Sequence, residues 1–279
     1  MKAPEEIEQC RFVNFKTIAG IPDDCKRVYI GHETCEKRLP TFHEMQKILE
    51  IIEKCQLKLT FVTPFLTEKG FEKTQLLLNQ LNTLKLLHFE IVTSDWGLIH
   101  WITQNKIGTP VVSRFLTGQQ VDFRLWDEPL QPKKEPVVFI DEKYRLLKHK
   151  KLSQAMVDHL SSCTLMKEKT MEMFCKLGVT RFELNAVPQP VTLPDHPLIR
   201  YSLHVPFVPL TIFRTCPENL DFSSIKKECN ACYPVSQKWQ SGSARNELYR
   251  IDNALYYYHD IDPAIFQNTS IDRIVYKSG

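Results

Sequence analysis

No apolar run in this chain is long enough to span a bilayer. The longest, such as Ile51-Ile52 or Leu76 to Leu78, are broken by Lys, Glu, Gln or Asn within a few positions, far short of the ~20 residues required. The first ten residues are acidic and lack the apolar stretch of a secretory leader, so the expected compartment is the cytoplasm. Glycine is scarce: nine in 279 residues is about half the usual share of roughly 7%. None of the nine falls into a dinucleotide fingerprint, a phosphate-binding P-loop or a GxSxG nucleophile elbow, so three common enzyme classes lose their usual marker. Charge of either sign is in little excess, with 36 basic against 33 acidic residues, which calls for neither nucleic acid nor an acidic membrane. Internal repeats, low-complexity stretches and long charge blocks are absent too.

What is present is a globular balance of 43% apolar and 25% charged residues, enough to bury a full core. Short β-rich runs alternate with amphipathic segments. Arg27 to Gly31 reads as a strand, and Thr41-Phe-His-Glu44 as a capping box opening a helix whose apolar face continues through Met45, Ile48, Ile52 and Cys55. A strand over Lys58 to Phe65 follows, then a helix over Phe71 to Leu84 with Leu76, Leu77, Leu81 and Leu84 inward. Leu87 to Ser94 is a strand ending in Asp95-Trp96-Gly97, Leu98 to Asn105 a helix, and Thr109 to Leu116 a strand. The rhythm breaks over 117–147, a polar, Pro-containing stretch that reads as an inserted loop in one domain spanning 1–279. It resumes with a helix over Leu165 to Leu177, Gly178 as its C-cap and a strand over Val179 to Asn185. Tyr201 to Phe213 is extended, and Glu247 to Tyr276 is aromatic and β-rich.

Such alternation predicts an α/β parallel sheet with helices outside. Without a dinucleotide fingerprint, the preferred architecture is a TIM-like (β/α) barrel, complete or incomplete, with a cysteine-rich C-terminal segment closing one rim. Functional residues then sit on the loops after the strands. That places Cys35, Pro64, Asp95, Arg114, Asn185 and Cys216 on one rim.

Nine cysteines, an odd number in a reducing compartment, favour thiolate or metal chemistry over disulfides. Cys229-Asn-Ala-Cys232 can hold one metal ion or two corners of a cluster, and Cys216 lies thirteen residues earlier. A redox dithiol would usually open a helix, whereas this pair lies in a polar stretch. Cys35 is the best fourth ligand, because it follows a strand in the polar loop Gly31-His-Glu-Thr-Cys35. Cys55, Cys163 and Cys175 fall on or beside helices and read as core packing. Four thiolates suit zinc or iron–sulfur on ligand chemistry alone. One remote cysteine joined to a later trio leans toward iron–sulfur.

Val28-Tyr-Ile-Gly31 with Cys35-Glu-Lys-Arg38, Ser94-Asp-Trp-Gly97, Leu177-Gly-Val-Thr-Arg-Phe-Glu-Leu184 and Arg214-Thr-Cys216 with Cys229-x-x-Cys232 together resemble, in this order, the collagenase-like peptidase family in its UbiU/UbiV branch. The likeness is to short, single-domain UbiV-like members and covers most of residues 11 to 279. It implies a TIM-like barrel and a [4Fe–4S] cluster on Cys35, Cys216, Cys229 and Cys232. It also implies oxygen-independent hydroxylation of an aromatic small molecule, with prephenate as oxygen donor and a second family member as partner. The chain departs from the family at Val205-Pro206-Phe207-Val208, where a glycine-containing turn is usual, and around 120–147. Despite the family's name no peptidase apparatus is visible: neither a Ser-His-Asp or Cys-His motif nor an HExxH helix.

Among other polar residues, Asp95 at a strand end can act as a general base or cap the helix beginning at Trp96. Arg114 can clamp a substrate carboxylate bidentately or pair with a neighbour. Glu183 and Asn185 share one face of their strand, lining the lumen or packing within it. His32 and His204 read as hydrogen-bonded structural histidines. Trp96 and Tyr256 to Tyr258 read as core or interface. The catalytic candidates are Asp95, Arg114 and Asn185. Two rival functions are a non-catalytic scaffold, whose cluster only stabilises the fold, and an RNA-base hydroxylation factor, against which the near-neutral charge argues.

Overall fold

The computed structural model describes residues 7–14, 17–120, 138–140, 146–148, 155, 158–159, 162–163, 167–187, 191, 193–194, 196–213, 237–239, 248–259 and 270–277. Eight parallel strands form a closed barrel: β1 (Glu8–Phe12), β2 (Arg27–Gly31), β3 (Lys58–Thr63), β4 (Glu90–Thr93), β5 (Thr109–Val112), β8 (Arg181–Asn185), β9 (Arg200–Val205) and β14 (Ile271–Lys277). Every neighbouring pair is parallel, and β14 closes the ring by pairing with both β9 and β1. The TIM-like α/β barrel read from the alternation is therefore the observed architecture, and it is complete. Between β5 and β8 lies a two-stranded hairpin, β6 (Val138–Ile140) with β7 (Leu146–Lys148), within the stretch read as an insertion. A second sheet of order β10-β13-β12-β11, built from β10 (Phe207–Ile212), β11 (Gln237–Trp239), β12 (Leu248–Ile251) and β13 (Ala254–Tyr258), occupies the chain between β9 and β14. No described helix is long and apolar enough to cross a membrane.

Helices α1 (Phe42–Lys54), α2 (Glu68–Asn82) and α3 (Trp96–Asn105) make the crossovers from β2 to β5, and α4 (Glu168–Lys176) precedes β8. The first three begin at a side-chain cap, from Thr41, Thr67 and Asp95. Thr41 Oγ1 accepts the Glu44 N–H at 3.3 Å while the Glu44 carboxylate accepts the Thr41 N–H at 2.7 Å, the reciprocal cap expected from the sequence. Thr41→Ala should therefore cost about 1 kcal/mol in urea unfolding. Hydrogen bonds from the Thr41 backbone and hydroxyl hold Glu44 below its ordinary pKa, so this contribution exists above the carboxylate range and fades as pH falls through it. An unchanged unfolding midpoint in the variant would show that the cap contributes nothing.

Two helix faces differ from the periodicity reading. In α2 the buried residues are Gly70, Thr74, Leu77, Leu78 and Leu81, while Leu76 is 66% exposed and Leu84 lies beyond the helix, exposed. Leu77 can share a face with either neighbour, and it is the small Gly70 and Thr74 that set the phase. In α1 the helix stops at Lys54, so Cys55 sits at the C-cap, exposed rather than packed. Cys163 is buried as expected, and Cys175 half-buried.

The core has two shells. Outside the barrel, Val28, Ile30 and Phe61 meet Met45, Ile48 and Leu78 on one side, and Phe182, Leu184 and Tyr201 meet Met171 and Phe174 on the other. Inside, Cys10, Tyr29, Val62, Val92, Val111 and Val275 form an apolar layer across the lumen. Below it an ionic floor closes the amino end: Arg273 is bidentate to Glu90 at 2.7 and 3.1 Å and donates to Glu8 at 2.7 Å. Burial disfavours the Glu8 charge, but Arg273 and Arg27 outweigh it and hold that carboxyl at about 2. Gly31 ends β2 at φ +125°, where an added Cβ would lie 2.1 Å from the Val62 carbonyl oxygen, so only glycine fits. The chain leaves β2 there and enters the mouth.

Candidate functional site

The carboxyl ends of the strands carry the residues that the alternation assigned to one rim. Cys35, Pro64, Asp95 and Arg114 follow β2, β3, β4 and β5, and Asn185 ends β8. Cys216, Cys229 and Cys232 lie outside the described residues.

At the centre of the mouth, Arg114 is fully buried and grips Glu33 bidentately, Nε to Oε1 at 2.8 Å and Nη2 to Oε2 at 2.7 Å. Its Nη1 donates to the Phe207 carbonyl at 2.8 Å and to Asn185 Oδ1 at 3.3 Å. The fork that the sequence reading offers to a substrate carboxylate is thus filled by Glu33. Lys277, the last residue of β14, donates to Glu33 Oε2 at 2.7 Å and to the Tyr256 hydroxyl at 3.1 Å. Burial penalises the Glu33 charge, but Arg114 and Lys277 more than offset this and hold the carboxyl far below its usual range. Burial also disfavours the Lys277 ammonium, yet Glu33 and Tyr256 more than restore it. Burial pushes the Tyr256 hydroxyl up, so the phenol stays neutral. Neither Glu33 nor Lys277 was singled out from the sequence. The alternation Arg273, Val275, Lys277 with period two was the available signal for the second.

Asn185 is anchored on its other side, its N–H donating to Gln119 Oε1 at 2.6 Å while Gln119 Nε2 donates back to the Asn185 carbonyl at 3.2 Å. The start of the 117–147 stretch is thereby tied to the rim. Asp95 caps α3: its Oδ1 accepts the Leu98 N–H at 3.1 Å. Trp96 beside it is partly exposed and stacks on Phe174 at 4.8 Å.

The Cys35 loop is held by a chain of hydrogen bonds. The Cys35 N–H donates to His32 Nδ1 at 2.9 Å, which places the imidazole proton on Nε2, 2.9 Å from Asp252 Oδ2. Arg38 Nη1 donates to the other Asp252 oxygen at 2.9 Å. Burial lowers the His32 pKa, with Asp252 offsetting only part, so the ring is neutral at pH 7. The next residue, Asn253, donates through Nδ2 to the Thr34 carbonyl at 2.8 Å and to the Phe213 carbonyl at 2.9 Å. Asp252 and Asn253 form the turn between β12 and β13, so the second sheet clamps the loop.

This geometry bears on a metal group. Two carbonyls sharing one amide nitrogen lie within about 5 Å of each other. Cys216 follows Phe213 by three residues in the sequence and lies outside the described residues. Cys35 itself is half-buried on a polar loop, as a ligand requires. Of the four cysteines expected to hold such a group, Cys35 alone lies among the described residues. Among the described residues alone no three His, Cys, Asp or Glu side chains gather as a metal site.

Fold and site together define a closed (β/α) barrel whose carboxyl-terminal mouth holds a buried ion network beneath a clamped cysteine loop. No family model matches the chain, and no curated protein does. Among solved structures it is similar to one described as the U32 peptidase Mk0906, with 11% identity, a TM-score of 0.47, and coverage of 100% of this chain and 95% of that one. At that identity and score the likeness assigns neither family nor activity.

Proposed function

We propose that the protein is a cytoplasmic, UbiV-like barrel enzyme bearing a [4Fe–4S] cluster on Cys35, Cys216, Cys229 and Cys232, which takes part in oxygen-independent hydroxylation of an aromatic small molecule. Prephenate is the proposed oxygen donor and a second protein of the same family the proposed partner. The observation that carries the reading is the Asn253 bridge, which joins the Cys35 loop to the chain entering the cysteine trio. When bound, such a cluster supplies electron transfer and, where one iron is open, a Lewis-acid position. The chain's own residues do the rest. His32 and Asp252 fix the backbone of Cys35, and Glu33, Arg114 and Lys277 keep charges in fixed positions where water is excluded. Asn185, held by Gln119, presents its amide at the edge of this network.

The test is anaerobic purification of the full chain, with its ultraviolet–visible spectrum and iron, sulfide and zinc content, beside single Ala variants of the four cysteines. A broad brown absorbance with about four iron and four sulfide per chain, lost in each variant, is expected. A colourless protein with one zinc or none overturns the cluster. In cells grown without oxygen, an Asn185→Ala protein that keeps its iron should lose the hydroxylated product; unchanged product would leave a scaffold role instead.

A further inference from the structure

The near balance of charge over the whole chain conceals an uneven placement at the amino-terminal end of the barrel, opposite the mouth. Helices in a parallel barrel run back against the strands, so α2, α3 and α4 end there, where the chain turns into β4, β5 and β8. Those turns carry Lys85, Lys106 and Lys176, all exposed, and no acidic residue occurs over 82–89, 105–109 or 176–180. Glu90 at the start of β4 and Asp272 on β14 are taken up by Arg273 and Arg181. Exposed Asp23, Asp24 and Glu53 lie before β2 and β3, on the other half of the ring.

Helix dipoles account for part of this. A helix C-terminus carries about half a negative charge, and one lysine at each end more than covers it, so a positive surplus is left. Dipoles do not account for the leucines. Leu84 and Leu87, before β4, are 43% and 85% exposed, and Leu198, before β9, is 65% exposed. Strands β9, β8, β5 and β4 are consecutive in the ring, so leucines stand at the two ends of one arc, with Lys106 and Lys176 between them and Lys85 beside Leu84. Large apolar side chains set in water among cations are the pattern of a face that enters an interface.

The same arc has a recess. A cavity of about 310 Å³ opens between the turn after α2 and the turn after α3, where Lys85, His88 and Thr109 offer polar groups and Leu81 and Phe89 an apolar lining. It is at the small end of ligand sites, of a size for a headgroup. A nucleic acid would answer the lysines but leave the leucines without a partner, because its outer surface is phosphate and sugar. A bilayer with anionic headgroups answers both: the lysines meet phosphates while the leucines pass beneath them into the acyl region.

We propose that the β4–β9 arc of the barrel's amino-terminal end docks on an anionic lipid surface, with Leu84, Leu87 and Leu198 entering the bilayer, Lys85, Lys106 and Lys176 on the headgroups, and the cavity beside Lys85 taking one headgroup phosphate. The mouth, at the other end of the barrel, then faces away from the bilayer. Nothing in this face depends on the cysteines.

The test is co-sedimentation of the full chain with vesicles of phosphatidylcholine alone and of phosphatidylcholine and phosphatidylglycerol in equal parts, at low and raised salt. The mixed vesicles should bind at least tenfold more strongly than phosphatidylcholine, and salt should weaken the binding. Lys85→Glu, Lys106→Glu and Lys176→Glu combined, and Leu87→Gln with Leu198→Gln, should each weaken it tenfold or more. Leu76→Gln, on the side of α2 and away from this end, should leave it unchanged. Each variant is checked for a wild-type circular-dichroism spectrum, and should the triple lysine variant fail to fold, the leucine pair carries the comparison. The Cys35→Ala protein should sediment as wild type does, so loss of the cluster and loss of docking are read separately. Equal binding to both vesicle types, no binding to the mixed ones, or indifference to the leucine and lysine variants overturns the lipid surface. Binding of polyuridylate that needs the lysines but not the leucines, with no vesicle binding, assigns the face to nucleic acid and overturns it too.

Discussion

Arg114→Met should destabilise the protein by about 3–5 kcal/mol, the range for removing one partner of a buried ion pair. The guanidinium is fully buried, and its loss leaves Glu33 with Lys277 alone and takes a donor from the Phe207 carbonyl. Glu33→Gln should cost at least as much, because Glu33 answers two cations and its loss leaves Arg114 and Lys277 facing each other. Lys277→Met should cost least of the three, since Arg114 still holds Glu33 in both teeth of its fork. Urea unfolding at pH 7 gives the order directly. An Arg114→Met protein within 1 kcal/mol of wild type would mean that the network is not closed to water. The pH dependence has a definite sign. Glu33 has a folded pKa far below its ordinary 4.5, so its stabilisation is full above that value and is lost only as pH falls toward the folded value. The deficit of Glu33→Gln should shrink in acid. Glu8 adds to acid sensitivity, with a contribution lost between its ordinary 4.5 and about 2.

Gly31→Ala is the second large effect. The backbone there is at φ +125°, and the new Cβ would meet the Val62 carbonyl oxygen at 2.1 Å, a neighbour in the β3 ladder that cannot swing aside as a side chain would. Strain of about 1–3 kcal/mol from the dihedral adds to about 1–3 kcal/mol from overpacking, so a loss of about 3–5 kcal/mol is expected. The damage also reaches function, because His32, Glu33 and Cys35 follow at once. Two other glycines are internal controls. Gly178 has φ +72° in open space, so Gly178→Ala should cost about 1 kcal/mol from backbone conformation alone. Gly20 has neither strain nor a neighbour, so Gly20→Ala should be nearly neutral. Equal effects at all three positions would sink the steric account, and the measurement is the unfolding midpoint at unchanged slope.

Much of the barrel is legible from local pattern because strands β2 to β5 and helices α1 to α3 are each written in a short window. The Thr41 cap and the Gly178 C-cap are interactions between residues three apart or fewer, and both are found where the pattern places them. The rim is legible for the same reason: once strands alternate with helices in a parallel sheet, the residues after the strands must lie at one end.

The closure of the ring is not written that way. β1 and β14 pair across more than 260 residues, and nothing within Gln9-Cys10-Arg11 says that its partner is Ile274 to Tyr276. The mouth shares that character: Glu33 meets Arg114 at a separation of 81 and Lys277 at 244, and His32 meets Asp252 at 220. Residue type shows that each can form an ion pair, but only closure decides which charge faces which. Helix phase fails for a smaller-scale version of the same reason, since Leu76 and Leu78 are equally apolar and the choice between them is made by what Gly70 and Thr74 allow against the sheet. The amino-acid order by itself determined the elements and the end of the barrel at which chemistry belongs. Tertiary structure alone decided the partners, because pairing depends on register and on exclusion of water, and neither exists until the eight strands meet.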